Sequence, residues 1–186
     1  MSARIHESAG FTLTELLIVV AIGGILLTFA VPSFTETIQN NRMATQINEL
    51  HASLSFARSE AVKRNRTVTV CRSDNASTCS GDWQDGWIVF LDTNFDGAFN
   101  GSDEILRVHG ALNEDMTLDF DQTRVSYASS GIASGGMNGT FTLCDQRGDL
   151  RARGLLIGAS GRPRLATDSD DNGIPEDGSS TDLACS

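Results

Sequence analysis

Between Arg147 and Arg164, five arginines (Arg147, Arg151, Arg153, Arg162 and Arg164) stand against one acid, Asp149, in a chain whose net charge is -10. Alternate residues of a strand share a face. Arg151 with Arg153, and Arg162 with Arg164 on an adjacent strand, therefore predict a fork of guanidinium groups able to contact phosphates, DNA among them. The competing reading is an exposed edge strand guarded by charge. Two acidic runs carry a different chemistry. DTNFDGAFNGSD places Asp92, Asn94, Asp96, Gly97, Asn100 and Asp103 at positions 1, 3, 5, 6, 9 and 12 of a calcium-loop pattern. Asp103 is shorter than the usual glutamate at the twelfth position, although Glu104 lies alongside. DSDDNGIPED repeats the opening spacing with Asp168, Asp170, Asn172 and Gly173. Ca²⁺ is the ion such carboxylates would take, while a plain Asx-Gly turn explains the same residues without a metal. No cofactor is required.

Glu15 poses an electrostatic problem instead. It lies near the start of an apolar run from Phe11 to Val31 that follows a short polar segment, Met1 to Gly10, holding Arg4, His6 and Glu7. From Phe11 to Ala30 the run is about 20 residues, which at ~1.5 Å per residue gives roughly 30 Å, the depth of a hydrocarbon core. A single membrane-spanning helix is expected. An unpaired carboxylate at mid-membrane depth costs about 2.5–3.5 kcal/mol, so Glu15 calls for a cation. A backbone cut between Gly10 and Phe11 would create an amine four residues away, and in a bundle of such helices one chain's Glu15 would pair with a neighbour's amine. The run lacks a small-x-small cleavage box after it, unlike an ordinary secretory signal. Gly23, Gly24 and Pro32 suit local loosening of the helix, since glycine adds backbone freedom and proline removes an amide donor.

Nucleophilic chemistry finds little support. His6, His51 and His109 fall in the polar leader, on the helix and in a strand, and no G-x-S-x-G signature accompanies the serines. The chain is not expected to be an enzyme. Its acidity also argues against a generic electrostatic grip on nucleic acid or anionic lipid. Cys71, Cys79, Cys144 and Cys185 form no C-x-x-C pair and point to an oxidising compartment. Three pairings are open. Cys71 with Cys79 and Cys144 with Cys185 is preferred, because the first is local and the second pins the last residues to the fold.

These residues need a long helix and a sheet to hold them. From Thr37 to about Arg64, Met43, Ile47, Leu50, Leu54, Ala57 and Ala61 recur at intervals of four and three, one face of a helix. After Arg66 the period becomes two, with short β-rich runs at TVTVC, GWIVFL, EILRVH, MTLDF, GTFTLC, RGLLIG and RPRLA. The expectation is an α+β fold: a long N-terminal transmembrane and amphipathic helix packed on an antiparallel β-sheet domain. Segments divide as residues 1–10 (a cleaved leader), 11–31 (the membrane helix), 32–66 (the amphipathic helix) and 67–186 (a β-rich domain). Thr167 to Asp182, acidic and rich in glycine and serine, is expected to be a mobile tail. Trp83 and Trp87, flanking an Asp-Gly turn, read as hairpin packing.

The string AGFTLTELLIVVAIGGILLTFAVP resembles the prepilin signature of type IV pilins and type II secretion pseudopilins. That resemblance implies cleavage after Gly10 by a prepilin peptidase, N-methylation of Phe11, docking guided by Glu15, and a helix kink at Pro32. The order VTVCRS, Cys79, WQDGWIVFLDTNFDG, DEILRV and GRPRLA is similar to the soluble domain of FimT/FimU minor pilins and GspH pseudopilins. It implies a low-abundance subunit of a type IV pilus at the tip, anchored in the inner membrane with its C-terminal domain in the periplasm before assembly. Its partners would be other minor and major pilins. GRPR, at Gly161 to Arg164, is similar to the motif tied to DNA binding by FimT-type pilins. That leaves two alternatives open: a DNA-binding pilin of natural transformation, and an H-type pseudopilin of the type II secretion system.

Overall fold

The computed structural model describes residues 11–134 and 137–185, apart from the side chains of Phe29, Ala30 and Pro32. Gly10 and the Pro32 ring, expected as cleavage point and kink, lie outside the described residues. Helix α1 spans Leu13–Arg64. Thr12 begins it, with Oγ1 accepting from the Glu15 amide at 3.2 Å and the carbonyl accepting from the Leu16 amide at 3.1 Å, so two otherwise orphaned donors are satisfied. Asn65 ends it in the left-handed region, φ 54. The Arg66 amide reaches back to Ala61 O at 3.2 Å and the Asn65 amide to Val62 O at 3.3 Å, the paired bonds of a Schellman stop.

Two compact units divide the chain, one ending at Asn41 and the other beginning at Arg42, inside α1. In the first, apolar side chains are exposed on every side of the helix, Leu16, Ile18, Val20 and Leu26 among them. The hydroxyls of Thr28, Thr35 and Thr37 donate to the carbonyls of Ile25, Val31 and Ser33, which leaves those polar groups satisfied without water. In the second unit the helix shows one buried stripe, Met43, Ile47, Leu50, Leu54, Ala57 and Ala61, the residues expected from their spacing.

That stripe packs on strands β1 (Val68–Arg72), β2 (Trp87–Leu91), β3 (Glu104–His109), β4 (Met116–Asp119), β5 (Arg124–Tyr127), β6 (Gly139–Asp145), β7 (Arg153–Ile157) and β8 (Pro163–Leu165). They form two sheets rather than one, ordered β3-β2-β1-β5 and β4-β6-β7-β8, with every neighbour antiparallel. β5 escaped the sequence reading because RVSY is a four-residue run whose alternation is too short to register. It takes its register from β1, Val68 opposite Tyr127. The inner faces of both sheets and the helix stripe make a single apolar cluster. Trp83, on a 3-10 turn at Trp83–Asp85, meets Phe141 edge-on at 4.9 Å, and its indole N–H donates to Gln122 O at 2.8 Å. Trp87 stacks on His109 at 3.8 Å. Both tryptophans are packing residues, though not the two sides of one hairpin.

Cys71 is bonded to Cys79 and Cys144 to Cys185. The segment from Thr167 to Asp182, expected to be mobile, is folded. The Glu176 amide donates to Thr167 O at 3.1 Å, the Asp177 amide to Thr181 O at 2.8 Å, and the Leu183 amide to Pro175 O at 3.0 Å. Composition missed this because the acids and serines that make the segment polar bond one another and the nearby backbone amides, and a distant cysteine holds its end.

Truncating the stripe should cost far more than truncating an exposed side chain. Leu54→Ala in the full chain, held in detergent, is expected to lose about 2–5 kcal/mol of unfolding free energy in urea. Leu150→Ala, at an exposed position, should stay within about 0.5 kcal/mol of wild type. Equal effects would mean that the helix is not the sheets' cover.

Candidate functional site

Three groups of residues carry the chemistry expected from the sequence, and the fold treats them differently. Glu15 sits in the first turn of α1, one turn from the exposed Phe11, and Phe11 and Thr12 lie before the helix. Its amide is capped by Thr12, but its carboxylate has no cationic partner among the described residues. A negative group near a helix N-terminus is favoured by the helix dipole. That field is weak beside the cost that a hydrocarbon environment would impose.

The predicted arginine fork is not assembled. Arg151 closes a 3-10 turn, Asp149–Arg151, before β7 begins at Arg153. In the β7–β8 ladder Arg164 lies opposite Leu156. Arg164 therefore shares a face with Leu156 and Gly154, whereas Arg153 alternates onto the face of Leu155 and Ile157. Sequence spacing placed the arginines in pairs but could not supply the register that separates the pairs. Arg147 is engaged locally: its Nη2 donates to Asp145 Oδ2 at 2.6 Å and its Nε to the same oxygen at 2.9 Å. Arg162 is exposed ahead of β8. Arg164 lines a cavity of about 520 Å³ together with Asp121, Asp177 and Asp182, surroundings that repel a phosphate chain. Gly161 has a structural reason of its own, because it holds φ 73 and a Cβ there would come within 2.7 Å of Gly131 O and Ala133 N.

The two acidic runs fold as turns that use their own oxygens. Asp103 accepts from the Thr93 amide at 2.8 Å and the Asn100 amide at 3.0 Å. Asp96 accepts from the Ala98 amide at 2.8 Å and from the Asn94 and Asn100 side-chain amides. Asp92 Oδ2 accepts from the Gly97 amide at 3.0 Å. These are Asx-type closures. Among the described residues, the carboxylates that converge are Asp168, Asp170 and Glu176, with oxygens within 4.8 Å of one another. Glu176 falls outside the opening spacing of the second run and arrives through the fold of the tail. Asn172 joins this group as a donor, its side-chain amide reaching Asp170 at 3.1 Å and Asp182 at 3.0 Å. Glu176 is occupied by the Ser169 hydroxyl at 2.8 Å and the Ser169 amide at 2.9 Å, which hold its carboxyl below the usual range. Asp177 is lowered in the same way by the Thr181 amide and the Ser179 hydroxyl. Burial alone would raise Asp145, but the hydrogen bonds from Arg147 outweigh it and leave the carboxyl lowered.

The family described as type II transport protein GspH matches residues 46–161, and the prokaryotic N-terminal methylation motif matches residues 6–31. The type IV major fimbrial protein FimA of Dichelobacter nodosus is 38% identical over 72 residues, 39% of this chain and 42% of that protein. The chain thus spans less than half the length of this curated relative. The type IV minor pilin FimU of Pseudomonas aeruginosa shares the fold, with a TM-score of 0.56 at 24% identity over 69% of this chain and 91% of that structure. For the minor pseudopilin EpsH of the type 2 secretion system of Vibrio cholerae, the TM-score is 0.48 at 13% identity, covering 69% and 99% of the two chains.

Lowered carboxyls bind fewer protons in the folded than in the unfolded chain, so their stabilisation is complete above the unfolded carboxylate range, near pH 4, and falls away as acid titrates the folded form. Urea midpoints are expected to be level from pH 7 to about pH 5 and to drop below about pH 4. Arg147→Ala should make that drop shallower by relieving the shift of Asp145. An unchanged profile in the variant would separate Asp145 from the acid response.

Proposed function

This chain belongs to the type II transport protein GspH family, and from that premise we propose that it is a minor pilin, cut between Gly10 and Phe11 and methylated on the Phe11 amine. It then joins the tip of a type IV pilus, where it helps to start the filament. The carrying observation lies in the first unit of the structure: from Leu13 to Leu27 the helix exposes apolar side chains on every side, and the carboxylate in that stretch, Glu15, lacks a cationic partner among the described residues. In the membrane such a helix is solvated by lipid. In a filament it is solvated by its neighbours, and the Phe11 amine of one subunit meets the Glu15 carboxylate of the next. Pairing removes a cost of about 2.5–3.5 kcal/mol per subunit and sets the stagger between helices. The methylation-motif match at residues 6–31 supports the processing step. Both disulfides support maturation outside the reducing cytoplasm.

A second reading, a pseudopilin of a type II secretion machine, is favoured by the description of the matching family and uses the same assembly step. Deletion of the gene separates the two: loss of surface pili with secretion intact supports the first, and the reverse supports the second. DNA uptake is not carried forward, because Arg153 and Arg164 fall on opposite faces of the β7–β8 ladder and Arg164 shares its cavity with acids.

The assembly step is tested by Glu15→Val. The variant is expected to fractionate with membranes at wild-type levels and to be missing from sheared filaments, read by immunoblot against the soluble domain. Its normal incorporation would sink the pairing mechanism.

A further inference from the structure

Strand β3 is the outer edge of its sheet, and charged contacts seat it on α1 along its length. Arg64 Nη1 donates to Glu104 Oε2 at 3.2 Å, the Arg107 guanidinium lies over the Phe56 ring at 4.4 Å, and His109 Nε2 stands 2.7 Å from Glu49 Oε2. The first two contacts rest on guanidinium groups, which do not give up their charge. The third rests on a histidine, the side chain that changes charge between about pH 5 and 8.

His109 is placed so that its charge decides the contact. Its Nδ1 stands 2.7 Å from Gly110 O, so while Glu49 is ionised each ring nitrogen faces an oxygen that only accepts. A neutral imidazole has one N–H and would set a lone pair against the second oxygen at hydrogen-bond distance, whereas the imidazolium donates to both. The ring also lies flat on Trp87, with centroids 3.8 Å apart and planes 2° from parallel, and the face of a tryptophan is the best aromatic surface for a cation. Neighbouring charges do not take over this role. β2 brings Trp87 and no ionisable group, Arg107 on β3 is turned onto Phe56, and Asp85, on the 3-10 turn before Trp87, is occupied by the Asp82 amide at 2.9 Å. α1 brings Glu49, whose side chain is half exposed, and the His109 side chain keeps 20% exposure, so protons reach the pair from solvent.

We propose that His109 is a proton-operated clasp between β3 and α1. With a proton on each ring nitrogen it ties the Glu49 carboxylate to the Gly110 turn across the face of Trp87. When one proton leaves for water, one of the two ties opens, and the attraction between ring and carboxylate goes with the charge. The clasp is closed on the acid side of the histidine transition and loosened on the alkaline side, while the guanidinium contacts nearer the start of β3 stay in place. It belongs to the folded domain and does not depend on which filament the chain joins.

The test is NMR of the full ¹⁵N-labelled chain in detergent micelles, following the ring nitrogens of His109 between about pH 5.5 and about pH 8.5, above the range in which ordinary carboxyls take up protons. Both nitrogens should have the shifts of protonated nitrogens at the acid end, and one should move to the unprotonated value at the alkaline end. The Trp87 indole and Gly110 amide signals should move with the same midpoint. Glu49→Gln keeps the shape and an acceptor oxygen but removes the charge, and it should lower that midpoint by at least about 0.5 pH unit. His109→Gln should abolish the shared transition at Trp87 and Gly110. A ring that holds one proton throughout, a midpoint unmoved in Glu49→Gln, or transitions at Trp87 and Gly110 that survive in His109→Gln would overturn the clasp. If His109→Gln does not fold, wild type and Glu49→Gln decide the matter between them.

Discussion

Two four-stranded sheets have inner faces that would stand open to water without α1, and the stripe from Met43 to Ala61 closes both at once. Each fully buried leucine or isoleucine on it removes enough apolar surface to be worth about 1.5–3 kcal/mol. Val68, Val70 and Val89 come to the stripe from one sheet, and Phe141, Leu143 and Leu155 from the other. The helix stop matters for the same reason. Asn65 and Arg66 turn the chain with bonds back to Val62 and Ala61, so only three residues separate the helix from β1, and Val68 joins Ala61 in the same apolar cluster. Glu60 is fixed there by Arg64 at 2.6 Å, which lowers its carboxyl, and Arg64 reaches on to Glu104 at the start of β3.

One helix carries two patterns. From Leu13 to Leu27 it exposes apolar side chains all round, and from Arg42 it is apolar along one buried stripe. The outer faces of the sheets, which the helix cannot reach, are covered by loops, and each cover is stapled by a disulfide. Cys71–Cys79 sits with Ile88, Phe90 and Phe99 outside the first sheet, while Cys144–Cys185 holds the last turn with Ala152 and Leu183 against the second. On the chain-entropy account the two loops, 8 and 41 residues apart in sequence, contribute about 2.5 and 4 kcal/mol. The larger contribution belongs to the tail, whose own residues build little core.

Charge is handled locally. Acids of the loops after β2 and β8 accept backbone amides and hydroxyls within a few residues of themselves, and Arg147 is bound by Asp145. An excess of carboxylates therefore does not drive these loops open, and Arg153 and Arg164 of the arginine cluster fall on opposite faces.

Local pattern by itself determined a good deal. Residues with a period of 3.6 and no polar face had to be a helix in an apolar solvent, and Met43, Ile47, Leu50, Leu54, Ala57 and Ala61 had to face a core, because a helix repeats its face every three or four residues. Most strands were legible from alternation, and the resemblance of the VTVCRS to GRPRLA motifs marked the family that residues 46–161 match. Only tertiary structure decided that the strands divide into two sheets and that RVSY is one of them. It also decided that Arg153 and Arg164 point apart, that Glu176 joins Asp168 and Asp170, and that His109 meets Glu49. Each of these is set by strand register or by contact between distant segments. A single residue of register moves a side chain to the opposite face, and nothing in local spacing fixes that register.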